Sequence, residues 1–287
     1  MKILDGRELA GFIKERQVQI VGRLRAEGKI PKLMIIRDNN HPVISKYVEL
    51  KRQYGEDIGI EVEDVLINLD DDIPKNEIAK QVSRNQNPEG LEKLKQTIKK
   101  ANQESSISGI IVQLPLKNSE WTEEVVNSIA PEKDVDGLSG KGKFDSATAT
   151  AINWLLAGHN IDLSNKKIAI VGRGRLVGGP LIKMWKNSGY EIEIFGRDAD
   201  LKLLNKFDVI VSATGIPHLI KSEMVRSGSV VVDAGTASED GMIIGDIDEE
   251  IRLRRDLLAI TPKIGGVGPL TVAVLFEDVI AAATKNK

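Results

Sequence analysis

Cysteine is absent from the chain, and its absence excludes several kinds of site at once. Without cysteine there can be no disulfide, no thiolate nucleophile and no cysteine-ligated metal. Histidine is also scarce, since the three residues His41, His159 and His218 lie far apart and none has a metal-ligand spacing. The sequence therefore predicts a function that needs no bound metal.

Long apolar runs and an excess of one charge are lacking too. No run of 18 apolar residues occurs and the N-terminus has no hydrophobic signal segment, so we expect a cytoplasmic protein without a membrane partner. The 40 basic residues nearly balance the 42 acidic ones, which gives a net charge of −2 and no general attraction to nucleic acid.

What remains is typical of a soluble globular protein with two domains: 287 residues, 41% hydrophobic and 29% charged. In the first half, helical patterns at 7–27, 43–57 and 91–102 alternate with apolar strand patterns at 32–36, 60–67 and 107–114. This alternation predicts a βαβαβ arrangement with an open parallel sheet. Asp70-Asp71-Asp72 reads as a solvated loop rather than a metal cluster.

The second half repeats the alternation after a Gly- and Lys-rich segment, Asp134–Asp145, which we interpret as a linker. A helix is predicted at 148–157, and strands at 168–171, 191–195, 209–212, 230–233 and 258–260. The C-terminal helix, Pro269–Ala283, is apolar nearly all round, so it must be buried on several sides. The fold class predicted is α/β, with two open parallel-sheet domains, the second a Rossmann-type dinucleotide-binding domain.

A glycine-rich corner follows the apolar strand Ile168–Val171 and precedes a helical pattern. In doubly wound nucleotide domains, a strand followed by a glycine turn and a helix binds the diphosphate of the nucleotide. Gly172 would permit the tight turn, Gly174 the approach of a diphosphate, and Gly178 close packing of helix on strand. The spacing is G-x-G-x-x-x-G rather than the strict G-x-G-x-x-G, so a glycine-rich turn without a ligand is the alternative.

Tyr47 and Lys51 are four residues apart in a predicted helix and so lie on one face. A lysine can act as an acid or base when burial lowers its pKa. Two ordinary surface residues are the alternative. Short-chain dehydrogenases also use Tyr-x-x-x-Lys, but there it follows the glycine loop, whereas here it precedes the loop by about 120 residues. Gln113 follows the third strand, where side chains face the ligand crevice of a parallel sheet.

In combination, these segments resemble the bifunctional methylenetetrahydrofolate dehydrogenase/methenyltetrahydrofolate cyclohydrolase family. The matching segments come in the family's order and cover nearly the whole chain. They are Tyr47-Val48-x-x-Lys51, Val112–Leu116, Lys133-Asp134-Val135-Asp136-Gly137, Val171-Gly172-Arg173, Val177-Gly178-x-Pro180, Ala213-Thr214-Gly215, Gly245-Asp246 and Gly265-Gly266-Val267-Gly268-Pro269-Leu270-Thr271.

The chain departs from the family pattern at several positions. Ile44 stands where the family usually has serine, with Ser45 one place later, and Lys263-Ile264 replaces a Val-Pro pair before the glycines. A Pro-Cys-Thr-Pro-x-Gly segment is replaced by 146–151, and His-Ser after the second Rossmann strand by Gly196-Arg197. The segment between Gly137 and Ser146 is also shorter than usual.

The resemblance implies three parts of the chain with separate roles. Residues 1–140 would form a catalytic folate-binding α/β domain, 141–264 an NADP-binding Rossmann domain, and 265–287 a loop and helix that return to the first domain. Such an enzyme oxidises 5,10-methylenetetrahydrofolate with NADP and hydrolyses the methenyl product to 10-formyltetrahydrofolate, in one-carbon metabolism and purine biosynthesis. A cytoplasmic homodimer joined through the cofactor domains is implied as well.

The resemblance also implies roles for individual residues. Lys51 matches the catalytic lysine and Gln113 its hydrogen-bond partner, while Tyr47 would pack on folate and Asp136 would bind the pterin. The remaining substrate-binding positions implied are Gly268, Pro269 and Thr271. The cofactor-binding positions implied are Gly172, Arg173, Gly174, Arg175, Val177, Gly178, Arg197, Ala213, Thr214, Gly215 and Thr236.

The choice of NADP over NAD rests on the end of the strand at 191–195. An NAD enzyme places a carboxylate there to hold the ribose 2′-hydroxyl. Here the strand runs into Arg197, which with Arg173 or Arg175 could bracket a 2′-phosphate. The alternative is that Asp198 reaches the ribose and the arginines are solvated.

Two other functions match parts of the sequence. A shikimate dehydrogenase-like enzyme also has two domains, NADP and a catalytic lysine, but would not be expected to carry the Gln-Leu-Pro-Leu and Gly-Gly-Val-Gly-Pro segments here. A redox-sensing regulator would need a basic nucleic-acid-binding helix. The likeliest helix, Leu91–Asn102, has four lysines and no arginine in a slightly acidic chain, which disfavours that function.

Overall fold

The structure, a computed structural model, describes residues 1–67, 88–235, 237–239 and 242–285. The chain divides into two compact units, which we name for the main sheet that the described residues form in each. The six-stranded unit comprises Met1–Lys14 and Asp145–Val274, and the three-stranded unit comprises Glu15–Phe144 and Leu275–Lys287. Asp70–Asp72, predicted as a solvated loop, lies outside the described residues.

The elements follow one another in alternating fashion. The strands are β1 (Lys2–Ile3), β2 (Lys32–Arg37), β3 (Glu61–Leu66), β4 (Gly109–Val112), β5 (Ile168–Val171), β6 (Ile192–Phe195), β7 (Val209–Ser212), β8 (Val230–Asp233), β9 (Ala237–Glu239), β10 (Met242–Ile244) and β11 (Ala259–Ile260). The helices are α1 (Gly6–Ala26), α2 (Pro42–Ile58), α3 (Pro88–Gln103), α4 (Thr122–Val126), α5 (Ala147–Gly158), α6 (Gly178–Asn187), α7 (Glu249–Leu253) and α8 (Val267–Lys285).

The three-stranded unit has the strand order β3-β2-β4 with parallel pairing, as the βαβαβ pattern predicts. All four residues of β4 are buried, which explains why the strand reads as an unbroken apolar run. Leu94 and Ile98 of α3 pack with Ile36 of β2 and Ile110 of β4 to form the core beside this sheet.

Helix α2, which carries the predicted Tyr47–Lys51 pair, has defined ends. The His41 side chain accepts the N–H of Val43, and Pro42 occupies the first turn, where its missing N–H has no cost. The helix ends at Gly59, whose φ of 82° is readily adopted only by glycine. These signals fix the helix within one residue of the predicted range at each end.

The six-stranded unit has the order β1-β11-β8-β7-β5-β6, and every pair in it is parallel. The predicted α/β class with two open parallel sheets, the second of Rossmann type, is thereby confirmed. Strand β1 was not predicted, because two residues carry no periodic pattern. Because β1 pairs with β11, residues 1–14 belong to the six-stranded unit. The division into functional domains at 1–140, 141–264 and 265–287 remains a prediction.

The segment predicted as a linker is in its first part a packed piece of the three-stranded unit. Asp134 is fully buried and forms a parallel bridge with Ile110 of β4. The buried Lys133 ammonium donates to the carbonyls of Ala101, at 2.9 Å, and Glu104, at 2.6 Å, near the end of α3. The predicted linker is therefore wrong at its first residue, Asp134, which is packed against β4, and the Lys133 ammonium just before it is satisfied by backbone carbonyls at a helix end.

Helix α8 is buried along much of its length, as its apolar composition predicts. Leu270, Phe276 and Val279 are among its fully buried residues. Among the described helices it is also the one long and apolar enough to cross a membrane by composition, but 56% of that stretch is buried inside the protein. Residues from Leu275 onward are grouped with the three-stranded unit, where Phe276 stacks on Tyr54 at a centroid distance of 5.1 Å.

Candidate active site and cofactor loops

Lys51 and Gln113 meet in the three-stranded unit. Lys51 lies on α2, and Gln113 follows β4, where its N–H donates to the carbonyl of Ile36 at 2.8 Å. The Lys51 ammonium Nζ donates to Oε1 of Gln113 at 2.6 Å. Burial lowers the pKa of Lys51, and the Asp136 carboxylate opposes this effect. The pair is therefore a lysine held in place by a neutral acceptor, with its neutral form favoured relative to a surface lysine.

Asp136 lies in a turn that its neighbours hold in shape. The Asp134 carboxylate accepts the N–H of Ser139 at 3.0 Å and its hydroxyl at 2.5 Å, and Gly137 has a φ of 65°. Burial raises the pKa of Asp136 to about 6, the nearby Lys51 lowers it, and Asp134 raises it further. Asp136 is thus a half-buried carboxyl group coupled to Lys51 by charge, and its role in binding the pterin stays a prediction.

Tyr47 lies one turn before Lys51 and is half-buried. At the family's serine position, Ile44 is instead a buried core residue, 6% exposed. The hydroxyl of Ser45 accepts a hydrogen bond from the Arg37 guanidinium at 3.1 Å, and that guanidinium also pairs with Asp64. This hydroxyl is therefore committed to the scaffold at the carboxyl ends of β2 and β3.

The glycine corner after β5 has the geometry that its sequence predicts. Gly172 has a φ of 93°, and a Cβ there would lie 2.6 Å from the carbonyl oxygen of Ala213. A Cβ on Gly178 would lie 2.2 Å from the carbonyl oxygen of Gly172, so helix α6 can begin here only with glycine. Around Gly174 a Cβ would meet nothing within 4 Å. Two of the glycines thus serve the turn itself, while the third leaves open space at a helix N-terminus, which suits a phosphate.

The other predicted cofactor residues are distributed along the same edge of the sheet. Arg173 is exposed, while Arg175 and Val177 are half-buried. Ala213, Thr214 and Gly215 follow β7, which is paired with β5. Arg197 and Asp198 both follow β6 and are both exposed. Their position at the strand end is therefore compatible with Arg197 binding a 2′-phosphate and with Asp198 binding a ribose hydroxyl. Thr236 lies outside the described residues.

The glycine loop before α8 is shaped partly by the chain itself. A Cβ on Gly6 would lie 2.0 Å from the carbonyl oxygen of Gly266, and Gly265 has a φ of 94°. Gly268 and Pro269 stand in the first turn of α8, and Gly268 has open space where a Cβ would be. The Thr271 hydroxyl donates to the carbonyl of Val267 at 3.2 Å. The backbone of Gly6 therefore lies against Gly265 and Gly266, and the Arg7 side chain lies beside Gly265.

Sequence reasoning missed a buried ionic cluster beside the loop at 213–215. Asp246 accepts the N–H of Thr214 and the hydroxyl of Ser212, each at 2.7 Å. Asp233, at the end of β8, pairs with Arg252 of α7 at 2.6 Å. Gly245-Asp246 carries no signal beyond the family resemblance, because isolated acidic residues form no pattern in the sequence.

The structure brings the predicted residues together in two groups. Lys51, Gln113 and Asp136 form one group in the three-stranded unit, and the loops after β5 and β7 form another in the six-stranded unit. Within the described residues no group of three or more His, Asp or Glu side chains could hold a metal ion.

Comparison with known proteins gives consistent matches along the chain. Residues 4–136 match the family model described as tetrahydrofolate dehydrogenase/cyclohydrolase, catalytic domain, and residues 146–287 match the NAD(P)-binding domain of the same family. A bifunctional protein FolD from Aquifex aeolicus is 36% identical over 292 residues, covering 97% of this chain and 94% of the relative.

Solved structures agree. The bifunctional enzyme FolD-methylenetetrahydrofolate dehydrogenase/cyclohydrolase from Campylobacter jejuni aligns with a TM-score of 0.87 and 30% identity, covering 100% of both chains. The Trypanosoma brucei enzyme, complexed with NADP cofactor and an inhibitor, aligns with a TM-score of 0.85 and 25% identity, covering 99% of this chain and 97% of the other.

Proposed function

Since this chain belongs to the tetrahydrofolate dehydrogenase/cyclohydrolase family, we propose that Lys51 is the proton-transferring group of its active site and that Gln113 holds it in place. The enzyme oxidises 5,10-methylenetetrahydrofolate to the 5,10-methenyl compound with NADP and hydrolyses that product to 10-formyltetrahydrofolate, in one-carbon metabolism. The observation that carries the role of Lys51 is its 2.6 Å hydrogen bond to Gln113 together with its lowered pKa.

The hydrolytic step needs a proton carrier. The methenyl group is a cation spread over N5, the bridging carbon and N10, and water adds to that carbon. Neutral Lys51 takes a proton from the attacking water and returns it to the nitrogen whose bond to carbon breaks. As the formyl C=O forms, the hydroxyl proton leaves to solvent, so one proton is released overall.

The oxidative step places different demands on the same residues. NADP supplies the acceptor for the hydride that leaves the methylene carbon. Because a cation is left behind, a neutral Lys51 is favourable, since it adds no further positive charge. The Asp136 carboxylate, when ionised, compensates the cation and binds the pterin. Tyr47 packs on folate, and Gly268, Pro269 and Thr271 are further folate-binding residues.

The residues of the six-stranded unit fit a dinucleotide. The open space at Gly174 beside the N-terminus of α6 suits the diphosphate, with Gly172, Val177 and Gly178 shaping the turn. Arg173, Arg175 and Arg197 supply positive charge for the 2′-phosphate of NADP. The loop Ala213-Thr214-Gly215, with Thr236, completes the cofactor-binding set.

Replacing Lys51 tests this proposal directly. Lys51→Met keeps the length of the side chain and removes the base, so the cyclohydrolase kcat should fall by at least the ~10²–10⁴-fold that acid–base catalysis supplies. Dehydrogenase activity should fall less, and methenyltetrahydrofolate should accumulate in an absorbance assay. Gln113→Ala should act in the same direction, because an unheld lysine regains an ordinary pKa.

Lys46→Met is the matched control, since Lys46 is exposed on the same helix. It should leave both activities unchanged. Near-normal hydrolysis by Lys51→Met would show that the base is wrongly assigned, and Asp136 would be the next group to test.

The wider setting is part of the proposal. A chain with a net charge of −2 is suited to the cytoplasm and offers no general attraction to nucleic acid or membrane. The 10-formyl product supports a place in purine biosynthesis, which consumes one-carbon units at that oxidation level. A homodimer joined through the six-stranded unit is proposed from the family resemblance.

A further inference from the structure

Three charged side chains form a buried cluster at the carboxyl ends of β7 and β8. Asp246 is 0% exposed, and the side chains of Asp233 and Arg252 are 5% and 11% exposed. Charges withdrawn from water in this way are costly unless they are paired and hydrogen-bonded. None of the proposed chemical steps uses them.

The acidic half of the cluster fixes the loop that follows β7. One carboxylate oxygen of Asp246 accepts both the Ser212 hydroxyl and the Thr214 N–H at 2.7 Å. The N–H of Asp246 in turn donates to the Asp233 carboxylate at 3.0 Å. A Cβ on Gly235 would lie 1.9 Å from Asp246, so the backbone closes tightly over this carboxylate.

The basic half of the cluster reaches the loop that follows β11. Arg252 uses both ends of its guanidinium fork, with Nη2 2.6 Å from Asp233 and Nη1 donating to the carbonyl of Thr261 at 2.5 Å. A second link joins the same elements, since the Asp233 N–H donates to the Thr261 hydroxyl at 2.9 Å. Thr261 opens the segment that leads through Gly265 and Gly266 into α8.

The cluster also extends to a position where the chain departs from its family. Glu249 lies 3.9 Å from Arg252 and 2.7 Å from the ammonium of Lys263, which stands in the place of the family's Val-Pro pair. The Glu249–Lys263 pair is exposed and therefore weak. Burial raises the pKa of Asp233 while Arg252 lowers it, so the arginine favours the ionised carboxylate that the two loops require.

We propose that Arg252 is a positioning residue that couples cofactor binding to folate binding, by joining the loop at 213–215 to the loop at 261–268. The inference rests on the proposed function, which assigns these loops to NADP and to folate. A ligand that orders one loop also fixes Asp233 and Arg252, and the second ligand then meets a loop that is already ordered. Binding of each ligand should therefore strengthen binding of the other by the same factor.

The test measures this factor with a ligand pair that does not react. Tetrahydrofolate lacks the methylene carbon, so it can bind together with NADP without hydride transfer. Calorimetry gives the NADP Kd of the purified full-length enzyme with and without saturating tetrahydrofolate. We expect tetrahydrofolate to tighten NADP binding at least about five-fold in the natural enzyme, at the low end of ordinary coupling.

Arg252→Lys keeps the charge but cannot contact Asp233 and the Thr261 carbonyl at the same time. In this variant tetrahydrofolate should therefore tighten NADP binding less than two-fold. Thr261→Val changes no charge and removes only the hydrogen bond between the Thr261 hydroxyl and Asp233, so it should also reduce the effect of tetrahydrofolate on NADP binding. If Arg252→Lys does not fold, this second variant tests the inference. Arg255→Lys is the control, because Arg255 lies nearby on the surface, and it should keep the natural factor.

Two results would overturn the inference. In the first, tetrahydrofolate does not change the NADP Kd of a natural enzyme that has both activities. In the second, a folded Arg252→Lys or Thr261→Val variant shows the same change in NADP Kd as the natural enzyme. Failure of the proposed function is a different observation. In that case the natural enzyme would not oxidise methylenetetrahydrofolate with NADP.

Discussion

At the scale of single residues, the site depends on two ionisable groups whose pKa values are pushed toward each other. Burial lowers the pKa of Lys51 and raises that of Asp136 to about 6, and each charge partly offsets the effect on the other. The two protons are therefore coupled, and a change at one group alters the titration of its partner.

Asp136→Asn tests this coupling. The Asp136 carboxylate raises the pKa of Lys51, so its removal should let that pKa fall further. Since the neutral amine is the active form, the acidic limb of the cyclohydrolase kcat profile should move to lower pH. The KM for folate should rise about tenfold or more, the usual cost of losing a hydrogen bond to a charged group. Asp145→Asn, at an exposed carboxylate, is the control, and an unmoved acidic limb would argue against the coupling.

The choice of cofactor also depends on single side chains. Arg197→Ala should raise the KM for NADP about 10- to 100-fold, because a charge-assisted bond to the 2′-phosphate is lost. The KM for NAD, which has no such phosphate, should stay the same. Asp198→Asn separates the alternatives, since it should impair NAD use only if Asp198 holds the ribose. Unchanged NADP kinetics in Arg197→Ala would remove this arginine from the site.

At the scale of elements, the turn between β5 and α6 contains glycines with two different roles: some are needed for the turn itself, and one leaves room for a ligand. Gly178→Ala should cost about 1–3 kcal/mol of stability and weaken NADP binding, because its Cβ would lie 2.2 Å from the Gly172 carbonyl oxygen. Gly174→Ala should keep its stability yet lose NADP affinity, because its methyl group enters only open space.

Thermal unfolding and NADP titration of both variants distinguish these effects. Gly11→Ala on α1 also meets nothing within 4 Å and should be slightly stabilising, as expected of glycine in a helix. Equal stability losses at Gly174 and Gly178 would show that both serve the turn and neither the ligand.

At the scale of the whole molecule, the proposed homodimer has a candidate contact. Strand β6 ends the larger sheet as far as the described residues show, and Ile194 on it is 37% exposed. An edge strand has backbone groups that can pair with a second copy, and Ile194 adds an exposed apolar side chain to this one. Light scattering at micromolar concentration should give the mass of two chains, and Ile194→Asp should shift the protein toward one. Ile30→Asp, at an exposed site of the other unit, should remain a dimer, and a single-chain mass for the natural protein would refute the proposal.

The sequence by itself determined the fold class and most element positions, while the roles of the site residues stay predictions. Periodic apolar patterns and glycine or proline at element ends are local signals, and α2 shows how closely they fix a helix. The roles of Gly172 and Gly178 can be read from the sequence, because the conformation of a tight turn depends on neighbouring residues. The contact between Lys51 and Gln113 follows only from the family resemblance, since residues so far apart in sequence give no local sign of contact.

Only the tertiary structure decided which charged residues are buried. Asp134 begins the segment predicted as a linker, yet it is buried and holds the turn around Asp136, and the preceding Lys133 satisfies the end of α3. Asp233, Asp246 and Arg252 lie on separate segments whose partners are set by strand order. Strand β1, too short for any pattern, joins the larger sheet because β11 offers it a free edge. Burial, pairing and pKa depend on neighbours distant in the chain, and the packing of the whole chain supplies them.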